Sequence, residues 1–249
     1  MTTSRDHISL IDRGEGPSTI VLLHGWCCRT GDFAAQVDSL SRDHRVVAID
    51  WQDRMRARGS DRSFAGICND TIDLLAESKI ENPILCGHSM GGYLALQMVA
   101  THGFEARCVL SLDATMPVTD PVRAAFGSWV DQITPENLVH FYRTTGSMHF
   151  FKPGEIGDAS HAIMTGMMSR PLDEARDLLR QVCAPDFVQD YRSMTTPFQY
   201  VSSGLNGIST ESVIRNLIPH AGYERLDESG HFMTIFHPDR ITGIITAAL

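Results

Sequence analysis

The residues Gly87-His88-Ser89-Met90-Gly91, with Gly92 after them, follow the apolar run Pro83-Ile84-Leu85-Cys86 and precede the helical stretch Tyr93-Leu94-Ala95-Leu96-Gln97-Met98. A serine in G-x-S-x-G between a strand and a helix sits on a sharp turn that lifts its hydroxyl above the sheet edge. The turn strains the serine backbone, and the positions two before and two after must be small, because a side chain there would strike neighbouring backbone. The helix that follows offers free amides and the positive end of its dipole where negative charge would develop. Ser89 is therefore expected to be a reacting or substrate-binding hydroxyl, the alternative being a chance Gly/Ser turn.

Two further motifs supply what such a serine needs. His24-Gly25-Trp26-Cys27 directly follows the apolar run Thr19–Leu23. An oxyanion hole takes one amide from the residue after the serine, here Met90, and the other from such a loop, here Trp26. The Trp26 side chain reads either as a core aromatic or as a wall of the pocket. Glu228-Ser229-Gly230-His231-Phe232 lies near the C-terminus after the last apolar run, where a loop histidine can return to the serine as its base. His88 adjoins Ser89 and, with His24, Gly25 and Trp26, is expected to line the substrate pocket. The remaining histidines read as ordinary surface or core residues.

These groups need a scaffold, and short apolar runs alternating with helical patterns predict a mostly parallel sheet. Strands are expected at His7–Ile11, Thr19–Leu23, Arg45–Ile49, Ile84–Cys86, Cys108–Leu112, Phe198–Val201 and Tyr223–Arg225. Between the fifth and sixth the strand signal gives way to helices. Thr134-Pro135-Glu136 reads as a cap, a first-turn proline and a first-turn acid, and Pro171 opens another helix with Asp173 and Glu174 in its first turn. Met164, Met167 and Met168 share the face of a third. Residues 115–195 thus read as a helical insertion within a single domain spanning 1–249, either a cap over the site or extra packing helices. Phe126, Trp129, Phe141, Met148, Phe150 and Met167 are candidate pocket residues or ordinary interior packing.

Composition excludes several classes. The 249 residues are 43% hydrophobic and 20% charged, enough for a sizeable core. A net charge of -9 argues against nucleic acid or an anionic membrane as partner. No apolar run is long enough to span a bilayer, and the polar start Met1-Thr2-Thr3-Ser4-Arg5-Asp6-His7 lacks a signal-peptide core, so a cytoplasmic location is expected. The six cysteines form no C-x-x-C pair, and Cys86 and Cys108 sit in apolar runs as small core residues. The histidines show no metal-ligand spacing, so no metal cofactor is expected. The oligomeric state is not legible.

G-H-S-M-G-G, H-G-W and S-G-H-F, in that order and at those distances, resemble the α/β-hydrolase superfamily along nearly the whole chain outside the insertion. The resemblance implies the α/β-hydrolase fold, a mostly parallel central sheet flanked by helices with a helical cap insertion. In most members the acid partner of the histidine follows the penultimate strand in a segment like G-x-x-D. Here that segment reads Ser203-Gly204-Leu205-Asn206-Gly207, and neither Asn206 nor Gly207 can balance an imidazolium. A minority of members place the acid after the strand that follows the elbow, which points to Asp113. Asp227 and Glu228 precede His231 on its own loop and are expected to face elsewhere.

Within the superfamily the chain resembles cofactor-independent 2,4-dioxygenases of 3-hydroxy-4-quinolones, through Gly25-Trp26-Cys27, Asp113 and Trp51. It departs from them at Gln52-Asp53-Arg54-Met55-Arg56, where they carry a glycine-containing loop, and at Met90. That resemblance implies that His231, oriented by Asp113, removes the 3-hydroxyl proton of a bound quinolone. The anion would react with O2, releasing carbon monoxide and an N-acylanthranilate without metal or flavin, while Ser89 only holds the substrate. The sequence places this reading first. The alternative is a serine hydrolase of an ester, thioester or lactone, with a Ser89-Asp113-His231 triad. Either way the expected partner is a small aromatic or ester substrate, with O2 in the first case. A catalytically idle ligand receptor is a third and weaker reading, because Ser89 and His231 are both present.

Overall fold

Six of the seven expected strands form, and with a further strand at Leu10–Arg13 they make one seven-stranded sheet in a computed structural model that describes residues 10–53, 61–189 and 191–249. The strands are β1 (Leu10–Arg13), β2 (Thr19–Leu23), β3 (Arg45–Ile49), β4 (Ile84–His88), β5 (Cys108–Leu112), β6 (Phe198–Ser203) and β7 (Gly222–Leu226), in the spatial order β1-β3-β2-β4-β5-β6-β7. β1 runs antiparallel to β3, and every other pairing is parallel. The first expected strand, His7–Ile11, lies largely outside the described residues, as do the start Met1–His7 and Arg54, Met55 and Arg56 of the loop after Trp51.

Burial of the sheet on both faces explains why its central strands read as continuous apolar runs. Ile20, Leu22, Ile84 and Cys86 point to one face and pack with Val37, Ile241 and Ile245. Val21, Leu23, Leu85 and Val109 alternate with them and pack on the other face under Leu75, Leu94 and Met98. Helices α1 (Ala34–Leu40), α2 (Phe64–Glu77) and α3 (Met90–Ala100) link β2, β3, β4 and β5 in turn. Cys86 and Cys108 are buried, as expected of small core residues.

Between β5 and β6 the chain is helical among the described residues: α4 (Asp120–Gln132), α5 (Asp158–Met168) and α6 (Leu172–Val182), with short helical turns over 138–155. The start expected at Thr134 comes three residues late, at the short helical turn Leu138–Phe141. Thr134 accepts the Asn137 amide in the turn that leads into it, and upstream Thr119 precedes α4, whose second residue is Pro121. Pro171 precedes α6 as expected, with Asp173 and Glu174 in the first turn. Ala175, Leu178, Leu179 and Val182 recur at helical spacing on its buried face, and α6 packs against α4. Two shorter helices, α7 (Glu211–Leu217) and α8 (Pro238–Ala247), complete the fold. No helix among the described residues is long and apolar enough to cross a membrane.

Candidate active site

Parallel strands deliver the residues that leave them to one edge of the sheet, and Ser89 and Asp113 are the first residues beyond β4 and β5. Both adopt left-handed backbone conformations, with φ of 51° and 54°. Each is tied to the next strand, the Ser89 amide donating to the Leu112 carbonyl and the Asp113 amide to the Val201 carbonyl, both at 2.7 Å. Gly87 and Gly91 make the tight turn possible. A Cβ on Gly87 would lie 2.1 Å from the Gly91 carbonyl oxygen, and one on Gly91 would lie 2.1 Å from that of Leu23. α3 begins at Met90, so its first amides have no partner within the helix.

His231 Nδ1 and Asp113 Oδ2 lie 2.7 Å apart. The other carboxylate oxygen, Oδ1, accepts from the Ser203 amide at 2.7 Å and from Asn206 Nδ2 at 3.1 Å. A carboxylate with both oxygens engaged fixes the imidazole tautomer and leaves Nε2 for proton transfer. The Phe150 ring stacks on His231 with centroids 5.4 Å apart, and the His231 amide donates to the Phe150 carbonyl. Asp227 faces away and binds Arg225, as expected.

The loop after β2 runs against the serine: a Cβ on Gly25 would come 3.1 Å from the Ser89 Cβ. The Trp26 indole stacks on Tyr142 and donates Nε1 to the Ala175 carbonyl at 2.9 Å. Of the four residues expected to line the substrate pocket, Trp26 does so. His24, Gly25 and His88 stand behind the wall instead. His24 is occupied by Asp50 and by its stack on Trp51. His88 directs Nε2 to the His231 carbonyl at 2.9 Å. Burial, and then the neighbouring His231, hold the His88 imidazole well below its usual pKa, so it is a neutral support.

A cavity of about 590 Å³ opens above Ser89, Asp113 and His231. Its walls are mostly apolar, with Trp26, Phe126, Trp129, Phe150, Leu179 and Val182 among them. Met167 lines it too, whereas Phe141 is interior packing and Met148 is 76% exposed. The segment between β5 and β6 thus supplies much of the wall.

Three residues stand out that the sequence did not single out as functional: Asn206, Glu155 and Arg170. In the sequence Asn206 stands out only as a residue unable to be the acid; its amide is a donor suited to supporting one elsewhere. Glu155 Oε1 accepts the Gly230 amide at 2.8 Å, next to His231, and Oε2 accepts the Lys152 amide at 2.9 Å. Arg170, between α5 and α6, binds Asp50 and Asp53. Local sequence carries no sign of either long-range contact.

Comparison with known proteins places this site in a large family. Residues 20–243 match the alpha/beta hydrolase family. Over 182 residues the chain is 30% identical to a pimeloyl-[acyl-carrier protein] methyl ester esterase of Nitrosospira multiformis, covering 70% of this chain and 65% of that protein. Over 141 residues it is 30% identical to a 2-heptyl-3-hydroxy-4-quinolone dioxygenase of Rhodococcus erythropolis, covering 55% and 49%. A 1-acylglycerol-3-phosphate O-acyltransferase of Arabidopsis thaliana is 32% identical over 51% of this chain and 36% of its own. The chain spans less than two thirds of the length of these three relatives. Among solved structures, the enol-lactonase from Burkholderia xenovorans LB400 superposes with a TM-score of 0.81 at 18% identity, over 97% of this chain and 95% of that one. Sheet order, elbow and family match agree, and the chain belongs to the alpha/beta hydrolase family.

Proposed function

We propose that the protein is a serine hydrolase acting on the ester, thioester or lactone carbonyl of a small, largely apolar substrate. The observation that carries this reading is the Ser89 backbone, held at φ 51° and ψ -119° at the start of α3. A non-glycine residue in such a conformation costs roughly 1–3 kcal/mol and persists where function requires a fixed position. A nucleophilic oxygen has that requirement. The Asp113–His231 pair supports the rest of the triad, because an acid delivered from β5 meets the same Nδ1 as one from β6. The shift of the acid is then a change of scaffold and not of chemistry.

In this mechanism Ser89 Oγ attacks the acyl carbonyl while His231 Nε2 takes its proton. The amides of Trp26 and Met90 donate to the oxyanion. Collapse expels the alcohol, thiol or ring oxygen with the proton from His231, and water repeats the sequence on the acyl-serine. The cavity would hold the acyl portion beneath α4 and α6, which act as a cap.

A second reading is the ring-cleaving dioxygenase, which rests on Asp113 standing at the end of β5 and on the likeness to the Rhodococcus enzyme. There His231 would deprotonate a bound 3-hydroxy-4-quinolone and O2 would react with the anion. One experiment separates the two. The hydrolase reading expects a fluorophosphonate to label Ser89, p-nitrophenyl butyrate to turn over, and S89A to lose nearly all of that activity. Oxygen uptake with 2-heptyl-3-hydroxy-4-quinolone, largely retained in S89A and without ester turnover, would establish the dioxygenase instead.

A further inference from the structure

The loop from His24 to Arg29 is tethered to the segment between β5 and β6 at several points. Trp26 Nε1 donates to the Ala175 carbonyl at 2.9 Å. The Arg29 guanidinium lies where a Cβ on Gly166 would be, 2.0 Å from its Nη2. The Cys28 carbonyl accepts from Arg170 Nη2. Arg170 Nη2 also donates to Asp50 Oδ2 at 2.6 Å, and Nη1 to Asp53 Oδ1 at 2.8 Å. Asp50 Oδ1 in turn binds His24 Nε2 at 3.2 Å, and His24 Nδ1 meets the Gly25 carbonyl at 2.8 Å. One guanidinium therefore grips the loop at both ends, directly at Cys28 and through Asp50 at His24.

The loop needs holding, because Cys27 sits in the left-handed region at φ 56°. A non-glycine residue there stays put only when its surroundings over-determine it. The Arg170 and Asp50 side chains are 11% and 4% exposed, so the pair is poorly screened by water. Burial alone would raise the Asp50 carboxyl, but the hydrogen bonds and charges of His24 and Arg170 outweigh it and hold it well below the usual carboxylate range.

We propose that Arg170 is a positioning residue for the oxyanion-binding loop: its Nη2 bridges the Cys28 carbonyl and the Asp50 carboxylate while Nη1 holds Asp53, and so it fixes the Trp26 amide beside Ser89. The cap and the oxyanion hole then form one unit, and a substrate that disturbs the cap disturbs oxyanion binding. Lysine has one nitrogen where arginine presents two, so it cannot hold Asp53 and bridge Cys28 to Asp50 at once. The proposal rests on the serine-hydrolase reading for its effect on catalysis, but the clasp itself does not.

The test compares wild type, R170K and R170Q, using two ligands with the same apolar chain. A trifluoromethyl ketone accepts Ser89 Oγ at its carbonyl carbon; the carbonyl electron pair becomes an oxyanion and the serine proton passes to His231. The matching carbinol only fills the cavity. In R170K and R170Q the ketone should weaken by roughly ten- to a hundredfold, below the 10²–10³ typical of losing an oxyanion donor outright. The carbinol should bind as before, kcat should fall more than KM rises, and amide exchange over Gly25–Cys28 should speed up. Unchanged ketone affinity in R170K, or equal weakening of both ligands, overturns the proposal, the latter because it marks a general loss of the cavity. Should wild type form no adduct at all, the hydrolase reading fails, and loop amide exchange alone decides: equal rates in wild type and R170K would refute the clasp.

Discussion

Asn206 Nδ2 donates to Asp113 Oδ1 at 3.1 Å, while Asp113 Oδ2 meets His231 Nδ1 at 2.7 Å. Asn206 is itself fixed, its Oδ1 accepting the amides of Ile208 and Ser209 at 3.1 and 3.0 Å. The segment after β6 thus carries a donor that orients an acid from β5. D113N should keep the packing but present the wrong tautomer of His231, lowering kcat by roughly 10³–10⁴. N206A removes one hydrogen bond to a charged group, worth about 1.5–3 kcal/mol, and should lower kcat about tenfold or somewhat more. N206D sets a second carboxylate beside Asp113, so one of the two should hold its proton to higher pH. The acid limb of its kcat/KM profile should move upward. A profile superimposable on wild type would mean that Asn206 does not act through Asp113.

Much of this site was legible because its parts are local. The strand–Ser89–helix junction, the Gly25-Trp26 turn and the His231 loop each occupy a few contiguous residues, and backbone sterics dictate their composition. Asp113 was readable through the missing acid at Asn206 and a free one after β5. The supporting contacts were not, because Arg170 reaches Asp50 across 120 residues and Glu155 reaches Gly230 across 75. Nothing in a local window marks one arginine among many as the one that closes a loop. Thr134-Pro135-Glu136 is right in kind and early in place: its cap chemistry closes the turn that leads into the helical residues beginning at Leu138. Adjacency alone puts His24 and His88 in the pocket, whereas His24 is held by Asp50 and Gly25 and His88 Nε2 by the His231 carbonyl.

Glu155 joins the short helical turns before α5 to the His231 loop. Its carboxylate accepts the amides of Gly230 and Lys152, and it is 8% exposed. E155A leaves buried donors without an acceptor, at about 1–3 kcal/mol each, so Tm should fall by several degrees. Because Gly230 adjoins His231, kcat should fall as well. E155Q keeps a carbonyl oxygen for one of the amides and should recover part of both losses. Calorimetry beside steady-state kinetics reads the two effects, and an E155A enzyme with normal kcat would sever the link to His231.

His88 predicts a specific acid sensitivity. Its folded pKa is depressed, first by burial and then by His231. The unfolded chain takes up a proton at this position near the ordinary value of about 6.5, while the folded chain resists it. The stability it contributes is therefore complete above about pH 6.5 and is lost as pH falls below that. H88Q keeps a donor for the His231 carbonyl but cannot titrate. Between about pH 7.5 and pH 5.5 its Tm should drop less than that of wild type. Parallel curves would show that His88 accepts its proton in the folded protein.

Gly91 and Gly127 both lie within helices and should respond oppositely to alanine. A Cβ at Gly91 would sit 2.1 Å from the Leu23 carbonyl oxygen and 2.6 Å from that of His24. Both atoms are backbone, one in β2 and one at the root of the loop that carries Trp26, so neither can swing aside as a side chain would. G91A must push α3 off the sheet, moving Ser89 and the Met90 amide with it, and should yield protein that is destabilised and unreactive toward a fluorophosphonate. Gly127 lies inside α4, and its added Cβ meets no heavy atom within 4 Å. There alanine only restricts the unfolded chain and improves helix propensity, a gain of roughly 0.5–1 kcal/mol. G127A should therefore melt higher than wild type with unchanged fluorophosphonate labelling. If G91A instead folded and labelled at the wild-type rate, the close approach of α3 to the Leu23 carbonyl would not be what sets the elbow.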